Sequence, residues 1–164
     1  IEHGNMIDDA SCNLLIDKNA FLVPTMSTHE VLPIMGLSAG MPADMLEKVA
    51  IVTEEGRKNF PNAWKQGVKM VFGTDLLGTM HEHQLLEFAL RGEFQKPLEV
   101  IRSATMVAAE LFQMPGEIGE ISVGAKADLI AVDGNPLDDL GVLQAPDKFL
   151  KLIMKAGKIY KEDC

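Results

Sequence analysis

Apolar and polar residues alternate along the first half of the chain in a way that predicts strands separated by helices. Val68 to Phe72 is rich in apolar and β-branched types and runs into Gly73-Thr74-Asp75. That pattern predicts a buried strand, running to Asp75, with a carboxylate at its carboxyl end. Ile1 to Gly4 reads as the end of an earlier strand, with a turn at Gly4-Asn5. Asp8 and Asp9 are placed to cap a helix whose apolar positions are Cys12, Leu15 and Ile16, ending at Lys18-Asn19. Phe21 to Thr25 predicts a second buried strand, and Pro24 suits its end because proline cannot donate to a ladder.

A longer helical stretch follows, with a break at Ser38-Ala39-Gly40 and Pro42 at a first helical position. Met45, Val49 and Val52 form one apolar face that runs on toward Phe60 and Trp64, and Gln66-Gly67 ends it. After Asp75 a short loop leads to a helix over His81 to Arg91. Another helix starts at Pro97, with Leu98, Ile101, Thr105, Ala108 and Leu111 on one face. Strands alternating with helices at this spacing predict an α/β fold with parallel strands. The character changes after Met114-Pro115-Gly116. Short strands are predicted at Asp128–Val132, Leu150–Met154 and Lys158–Tyr160, with Ala156-Gly157 as a hairpin turn. The expected division is therefore residues 1–115, α/β, and 116–164, β-rich.

Composition narrows the partners. The chain of 164 residues is 47% apolar and 24% charged, with a net charge of −9. Excess negative charge argues against nucleic acid and anionic membrane as partners. Cys12 and Cys164 stand near opposite ends, which is no disulfide framework and suits a reducing compartment, the cytoplasm being favoured. The chain opens at Ile1-Glu2-His3-Gly4 without a methionine, as if in mid-strand. The expectation is a fragment of a longer protein, so the compartment itself stays open.

His3 ends the first strand and Asp75 the third. In a parallel sheet or barrel both would point into one mouth. Imidazole and carboxylate are a sensible share of a zinc-type site, although three or four ligands are needed and a strand-end His beside a turn Asp is the plain alternative. His29 follows the second strand by four residues and can reach the same mouth or lie on the surface. His81-Glu82-His83 is expected to be a solvated helix start, because residues two apart do not face the same way. Ser103, Thr105 and Ser122 have no visible base partner, and no phosphate loop or dinucleotide fingerprint is present. The ten methionines read as core filler. Asp138-Asp139 reads as an exposed turn.

Ile1-Glu2-His3-Gly4, Val23-Pro24-Thr25, Phe72-Gly73-Thr74-Asp75 and the run from Gly124 to Leu137 occur in the order found in metal-dependent amidohydrolases. The chain resembles the imidazolonepropionase-like and Xaa-Pro dipeptidase (prolidase-type) branch, also at Gly73 to Gly78, Ile101 to Thr105 and Ile153 to Gly157. The resemblance implies a TIM (β/α)8 barrel with a small β-sandwich, of which this chain would supply barrel strands six to eight and the last strands of the sandwich. It implies that His3 is a metal ligand and that Asp75 both binds metal and moves the proton. The implied cofactor is a divalent metal, zinc by preference. The implied reaction is attack of an activated water on an amide carbonyl, with Asp75 passing the proton to the leaving nitrogen. Dipeptides or N-acyl amino acids are the implied substrates, and His29 the substrate-binding residue where dipeptidase-like relatives often carry a tyrosine.

The chain departs from that pattern in lacking the His-x-His pair after strand one, the carboxylated lysine after strand four and the histidine after strand five. His81-x-His83 does not replace the pair, because it follows Asp75. The isolated chain is therefore expected to be inactive and to associate with the missing half of the barrel or with itself. The alternative is a noncatalytic self-association module, since an open half barrel exposes strand edges.

Overall fold

The computed structural model describes residues 1–38, 40–163. It divides into two compact units, Ile1–Phe94 and Gln95–Cys164; the expected boundary at 115/116 falls inside the second. Each unit is described by itself.

The first unit contains helix α1 (Asp9–Asp17), strand β1 (Phe21–Leu22), helices α2 (Met26–Met35) and α3 (Ala43–Lys65), strand β2 (Lys69–Met70), a 3-10 turn (Gly78–His83) and helix α4 (Leu86–Gly92). β1 and β2 pair in parallel, Phe21 opposite Lys69 and Leu22 opposite Met70. A parallel bridge joins Glu2 to Val23. The chain end at Ile1–Glu2, β1 and β2 thus lie side by side in one direction, as the α/β alternation predicts. The ladder extends by His3 N–H to Val23 C=O, Val23 N–H to Ile1 C=O and Val71 N–H to Leu22 C=O, each 2.9 Å.

Both regular strands are shorter than expected, two residues each where five and eight were predicted. Pro24 has no N–H to continue the ladder. The chain then turns into left-handed backbone at Thr25 (φ 48°) and Asp75 (φ 51°). The core of this unit joins Cys12 and Leu15 of α1, Leu22 of β1, Met26 of α2, Phe60 and Ala63 of α3, Val68 and Met70 around β2, and Leu90 of α4.

Three helical expectations are corrected. Ile16 is exposed, being one step around the helix from buried Leu15. On α3 the buried positions are Gly56, Phe60 and Ala63, whereas Met45 is 44% exposed. The helix packs through its second half, where Gly56 permits close approach: a Cβ there would lie 2.7 Å from Asn5 Nδ2. The helix predicted over His81–Arg91 begins as the 3-10 turn and becomes α-helical only at Leu86. The expected break at Ser38-Ala39-Gly40 includes Ala39, which lies outside the described residues, as does Cys164.

The second unit carries helices α5 (Pro97–Ala104) and α6 (Met106–Leu111), strand β3 (Leu129–Val132), a 3-10 turn (Leu140–Leu143), helix α7 (Pro146–Phe149) and strands β4 (Leu150–Lys155) and β5 (Lys158–Glu162). One helix was expected from Pro97 to Leu111. Thr105 (φ −126°, ψ −93°) interrupts it, and its hydroxyl lies 2.8 Å from the Ile101 carbonyl. The three strands form an antiparallel sheet in the order β3-β4-β5. Ala156 and Gly157, both at positive φ, make the predicted hairpin turn. Asp138 and Asp139 are exposed, and Asp139 accepts from Gly141 N–H at 2.7 Å. Among the described residues no helix is long and apolar enough to cross a membrane.

Helix α1 offers a check on the local physics. Asp8 is its N-cap and accepts from Ser11 N–H at 2.8 Å. Hydrogen bonding to Ser11 holds the Asp8 carboxyl below its usual 3.8. A depressed folded-state value means the cap stabilises above pH 3.8 and fades as pH falls through the folded-state value. Asp8→Ala is expected to lower the thermal midpoint near neutral pH, and the gap from the parent should close in melts recorded at progressively more acid pH.

Candidate metal and substrate site

Three parallel segments end at one place. His3 follows Glu2, Thr25 follows the Val23-Pro24 step after β1, and Asp75 follows β2. His3 Nδ1 lies 2.8 Å from Thr25 Oγ1. His3 Nε2, the other ring nitrogen, faces Asp75 Oδ2 at 3.9 Å. The two side chains are about half exposed, 47% and 51%, so the pair opens to solvent while its backbone is held from behind.

All three of these residues have positive φ: His3 64°, Thr25 48°, Asp75 51°. Left-handed backbone is uncommon for non-glycine residues and an outlier for a β-branched one. Such strain persists only where the surroundings impose it, and it gathers at functional sites. The surroundings are visible here. Gly4, also at positive φ, lies against Leu22, where a Cβ would come within 2.6 Å of Leu22 Cδ1. Asn5 is buried; its amide donates to Val52 C=O at 3.1 Å and its own carbonyl accepts from Asn59 Nδ2 at 2.8 Å. The turn after His3 is thereby tied to α3.

His29, one turn into α2, packs edge-on against the His3 ring with centroids 5.8 Å apart. Both its ring nitrogens are buried and have no hydrogen-bond partner among the described residues. Burial first, and His3 second, push its pKa below the usual 6.5, with Asp75 and Glu30 opposing. Its backbone carbonyl would ordinarily accept from residue 33, which is proline. The Thr53 hydroxyl takes that place, 3.2 Å from His29 C=O, while also lying 2.8 Å from Val49 C=O. The structure therefore brings His3, Asp75 and His29 together. His81 and His83 are elsewhere, on the 3-10 turn, where His83 Nε2 lies 3.5 Å from the neighbouring Glu82.

Behind this cluster stand residues that the strand-end pattern did not single out. Glu87 and Arg91 of α4 are both 0% exposed, with Arg91 Nη1 4.0 Å from Glu87 Oε1. Glu87 accepts from Ser27 N–H (2.8 Å), Ser27 O–H (2.7 Å) and Met26 N–H (3.4 Å), all at the start of α2. Arg91 donates to Val71 C=O at 3.3 Å, on the segment leading to Asp75. Desolvation pushes the Glu87 carboxyl up, opposed by Ser27 and Arg91, and pushes Arg91 down to about 10, which leaves it charged at neutral pH. The sequence signal was present: two opposite charges at i and i+4 inside Leu85-Leu86-Glu87-Phe88-Ala89-Leu90-Arg91, a segment otherwise apolar throughout. Cys12 is buried and its thiol is pushed up by desolvation, so it is no nucleophile.

The donor chemistry of His3 and Asp75 fits two positions around a divalent cation. An imidazole steadied at Nδ1 and offering Nε2 beside a carboxylate is how metal-binding histidines are oriented. Among the described residues no group of three or more His, Cys, Asp or Glu side chains is arranged to hold a metal ion. Close by in the chain, a cleft of about 440 Å³ is lined by Leu32, Met41, Met45, Leu77, Gly78 and Met80. Leu77 and Gly78 lie two and three residues beyond Asp75, and Leu32 lies one turn beyond His29.

The sequence profile of the Amidohydrolase family matches residues 1–160. The chain is 29% identical over 162 residues to the ochratoxinase of Aspergillus niger, covering 98% of this chain and 33% of that protein. Among solved structures it is similar to a prolidase complexed with N-methylphosphonate-L-proline, with a TM-score of 0.94 and 44% identity over 99% of this chain and 40% of that one. It is also similar to a Xaa-Pro dipeptidase with methionine bound in the active site, with a TM-score of 0.86 and 33% identity over 98% of this chain and 39% of that one. The chain thus spans a third to two fifths of the length of these relatives.

The buried pair on α4 gives a direct stability test. Removing one partner of a buried ion pair leaves an uncompensated charge and costs about 3–5 kcal/mol. Arg91→Met is expected to lower the unfolding free energy by that amount in urea titrations; a change below about 1 kcal/mol would show that the pair is dispensable.

Proposed function

Because the chain belongs to the amidohydrolase family, we propose that it supplies the last three strands of a (β/α)8 barrel, with part of a small β-sandwich, in a metal-dependent hydrolase of amide bonds. The observation that carries this reading is the convergence of His3 and Asp75, 3.9 Å apart, at the ends of parallel strands. α/β barrels build their active sites at that end. The span of a third to two fifths of the relatives' length supports the reading that the other ligands come on other strands.

His3 and Asp75 would hold a divalent ion, zinc in this reading. The ion, when bound, supplies Lewis acidity to the amide carbonyl and lowers the pKa of water toward neutrality. Asp75 accepts the proton that the attacking water loses and hands it to the leaving nitrogen as the C–N bond breaks. Thr25 fixes the His3 ring so that Nε2 faces Asp75. His29 has two buried ring nitrogens without partners, and a substrate carboxylate would give one of them a charged acceptor. The apolar cleft formed by Leu32, Met41, Met45, Leu77 and Met80 suits an uncharged side chain. A carboxylate beside an apolar group is the chemistry of a dipeptide or an N-acyl amino acid. The solved relatives' bound proline analogue and methionine are of that kind.

A noncatalytic self-association role is the second reading. Ile1, Met6 and Leu14 are exposed apolar residues of the first unit around one groove. In the hydrolase reading that face is covered by the rest of the barrel.

One set of assays decides between them, using the longer protein that carries this chain and a panel of dipeptides and N-acyl amino acids. Turnover is expected, and Asp75→Asn should reduce kcat by about 10²–10⁴-fold. Full-rate turnover by Asp75→Asn would overturn the role of Asp75, and no turnover of any amide would favour the self-association reading. In the same panel His29→Ala should raise KM by roughly 10- to 100-fold, the worth of a hydrogen bond to a charged group. Substrates whose carboxylate is blocked should show no such change.

A further inference from the structure

Helix α2 begins without the cap its sequence provides. Thr25 stands at the N-cap position, and threonine there ordinarily turns its hydroxyl onto the N–H groups of the first turn. Here it makes no side-chain cap hydrogen bond. Its backbone is left-handed, φ 48° and ψ 47°, rather than in the extended region that a capping residue adopts. Its hydroxyl instead meets His3 Nδ1 at 2.8 Å, on a different strand.

Two N–H groups of the first turn of α2 are nevertheless met from elsewhere in the chain. Glu87, from α4 and 60 residues away in sequence, accepts from Ser27 N–H at 2.8 Å and from Ser27 O–H at 2.7 Å; it also lies 3.4 Å from Met26 N. A fully buried carboxylate thus does the work of a local cap, and its charge also suits the positive end of the helix. Arg91, on the same face of α4, lies 4.0 Å from that carboxylate.

We infer that Glu87 is a positioning residue for His3: by capping α2 from outside, it releases the Thr25 hydroxyl to hold the His3 ring. The inference deepens the reading of His3 as a site residue and rests on it for its functional meaning. Glu87 touches no reacting atom; it acts through Ser27, the start of α2 and Thr25. Without its carboxylate, Thr25 at the N-cap position is the residue placed by sequence to cap α2. Capping requires Thr25 to leave the left-handed region, which withdraws Oγ1 from His3.

The test reads the His3 ring itself, in the 164-residue chain with no substrate. Ring nitrogen and carbon-bound proton resonances of His3 are recorded by NMR at one fixed near-neutral pH. Glu87→Leu, which removes both acceptor oxygens, is expected to shift the His3 Nδ1 resonance in the same direction as Thr25→Val, which deletes the hydroxyl outright. Thr25→Ser, which keeps the hydroxyl, should leave the His3 signals near the parent's. The double variant Thr25→Val with Glu87→Leu should shift them no further than Thr25→Val alone. If Glu87→Leu alone does not fold, the pair replacement Glu87→Leu with Arg91→Met, which leaves no uncompensated buried charge, serves instead, with the same expected shift.

Unchanged His3 resonances in a folded Glu87→Leu, or in Glu87→Leu with Arg91→Met where the former fails to fold, would overturn the inference. So would fully additive shifts in the double variant, which would mean that Glu87 acts on His3 by some route other than Thr25. Hydrolytic assays fail separately: an inactive protein with a coupled His3–Thr25–Glu87 response sinks the hydrolase reading alone, and an active protein without that coupling sinks this inference alone.

Discussion

A carboxylate with no contact with water holds the start of one helix and, through its arginine neighbour, the approach to another part of the same site. Burying Glu87 and Arg91 is expensive, since each ion loses its hydration and their attraction recovers only part of that loss. Such a pair adds little net stability by itself. It fixes geometry, because a buried charge tolerates few arrangements of its partners. Glu87 holds the backbone of Ser27 and Met26, and Arg91 donates to the Val71 carbonyl. α4 therefore sets the positions from which Thr25 and Asp75 both emerge, although it contributes no side chain to the site's surface.

Strain is the counterpart of that constraint. His3, Thr25 and Asp75 occupy left-handed backbone, each at or beyond the last ladder bond of its segment. The conformation turns each side chain sharply away from the strand direction, which lets an imidazole, a hydroxyl and a carboxylate from three neighbouring segments converge. Left to themselves, a threonine and a histidine would relax to the extended region. Gly4 against Leu22, Asn5 between α3 and the turn, and Glu87 under α2 each remove a route by which that relaxation could occur.

The parts of this arrangement that a sequence reveals are those written locally. Val68 to Asp75 and Ile1 to His3 announce strands with a donor at the end. The spacing of four residues from Thr25 to His29 put that histidine within reach of the same mouth. The hairpin at Ala156-Gly157 follows from its turn residues. What stayed hidden depends on contacts distant in sequence. Glu87 and Arg91 at i and i+4 read equally well as a solvated pair, and only the apolar residues on every side of them hint at burial. Thr25 reads as the end of a strand, and the turn of its hydroxyl toward His3 is invisible until the contacts of α2 with Glu87 are seen. Strand lengths were overestimated because apolar runs report burial rather than pairing, and pairing here stops at Pro24. The helix from Pro97 was read through Thr105 because apolar spacing continues across a break made by one residue's backbone.

His29 shows how far the arrangement can be reasoned toward function. A buried imidazole whose two nitrogens find no partner bears a desolvation penalty of about 1–3 kcal/mol for each unmet group. Evolved cores seldom leave such a penalty standing. Nothing in the backbone forces it: Thr53 already meets the carbonyl that Pro33 leaves open, and α2 is anchored at its start by Glu87. The ring is held against His3, beside Asp75, with its hydrogen-bonding capacity unspent. In the proposed function its partner is the substrate. Because burial and His3 both disfavour the imidazolium, the incoming partner must offer enough negative charge to offset them if the ring is to become a cation. A substrate carboxylate does so, whereas a neutral amide would engage only the neutral ring.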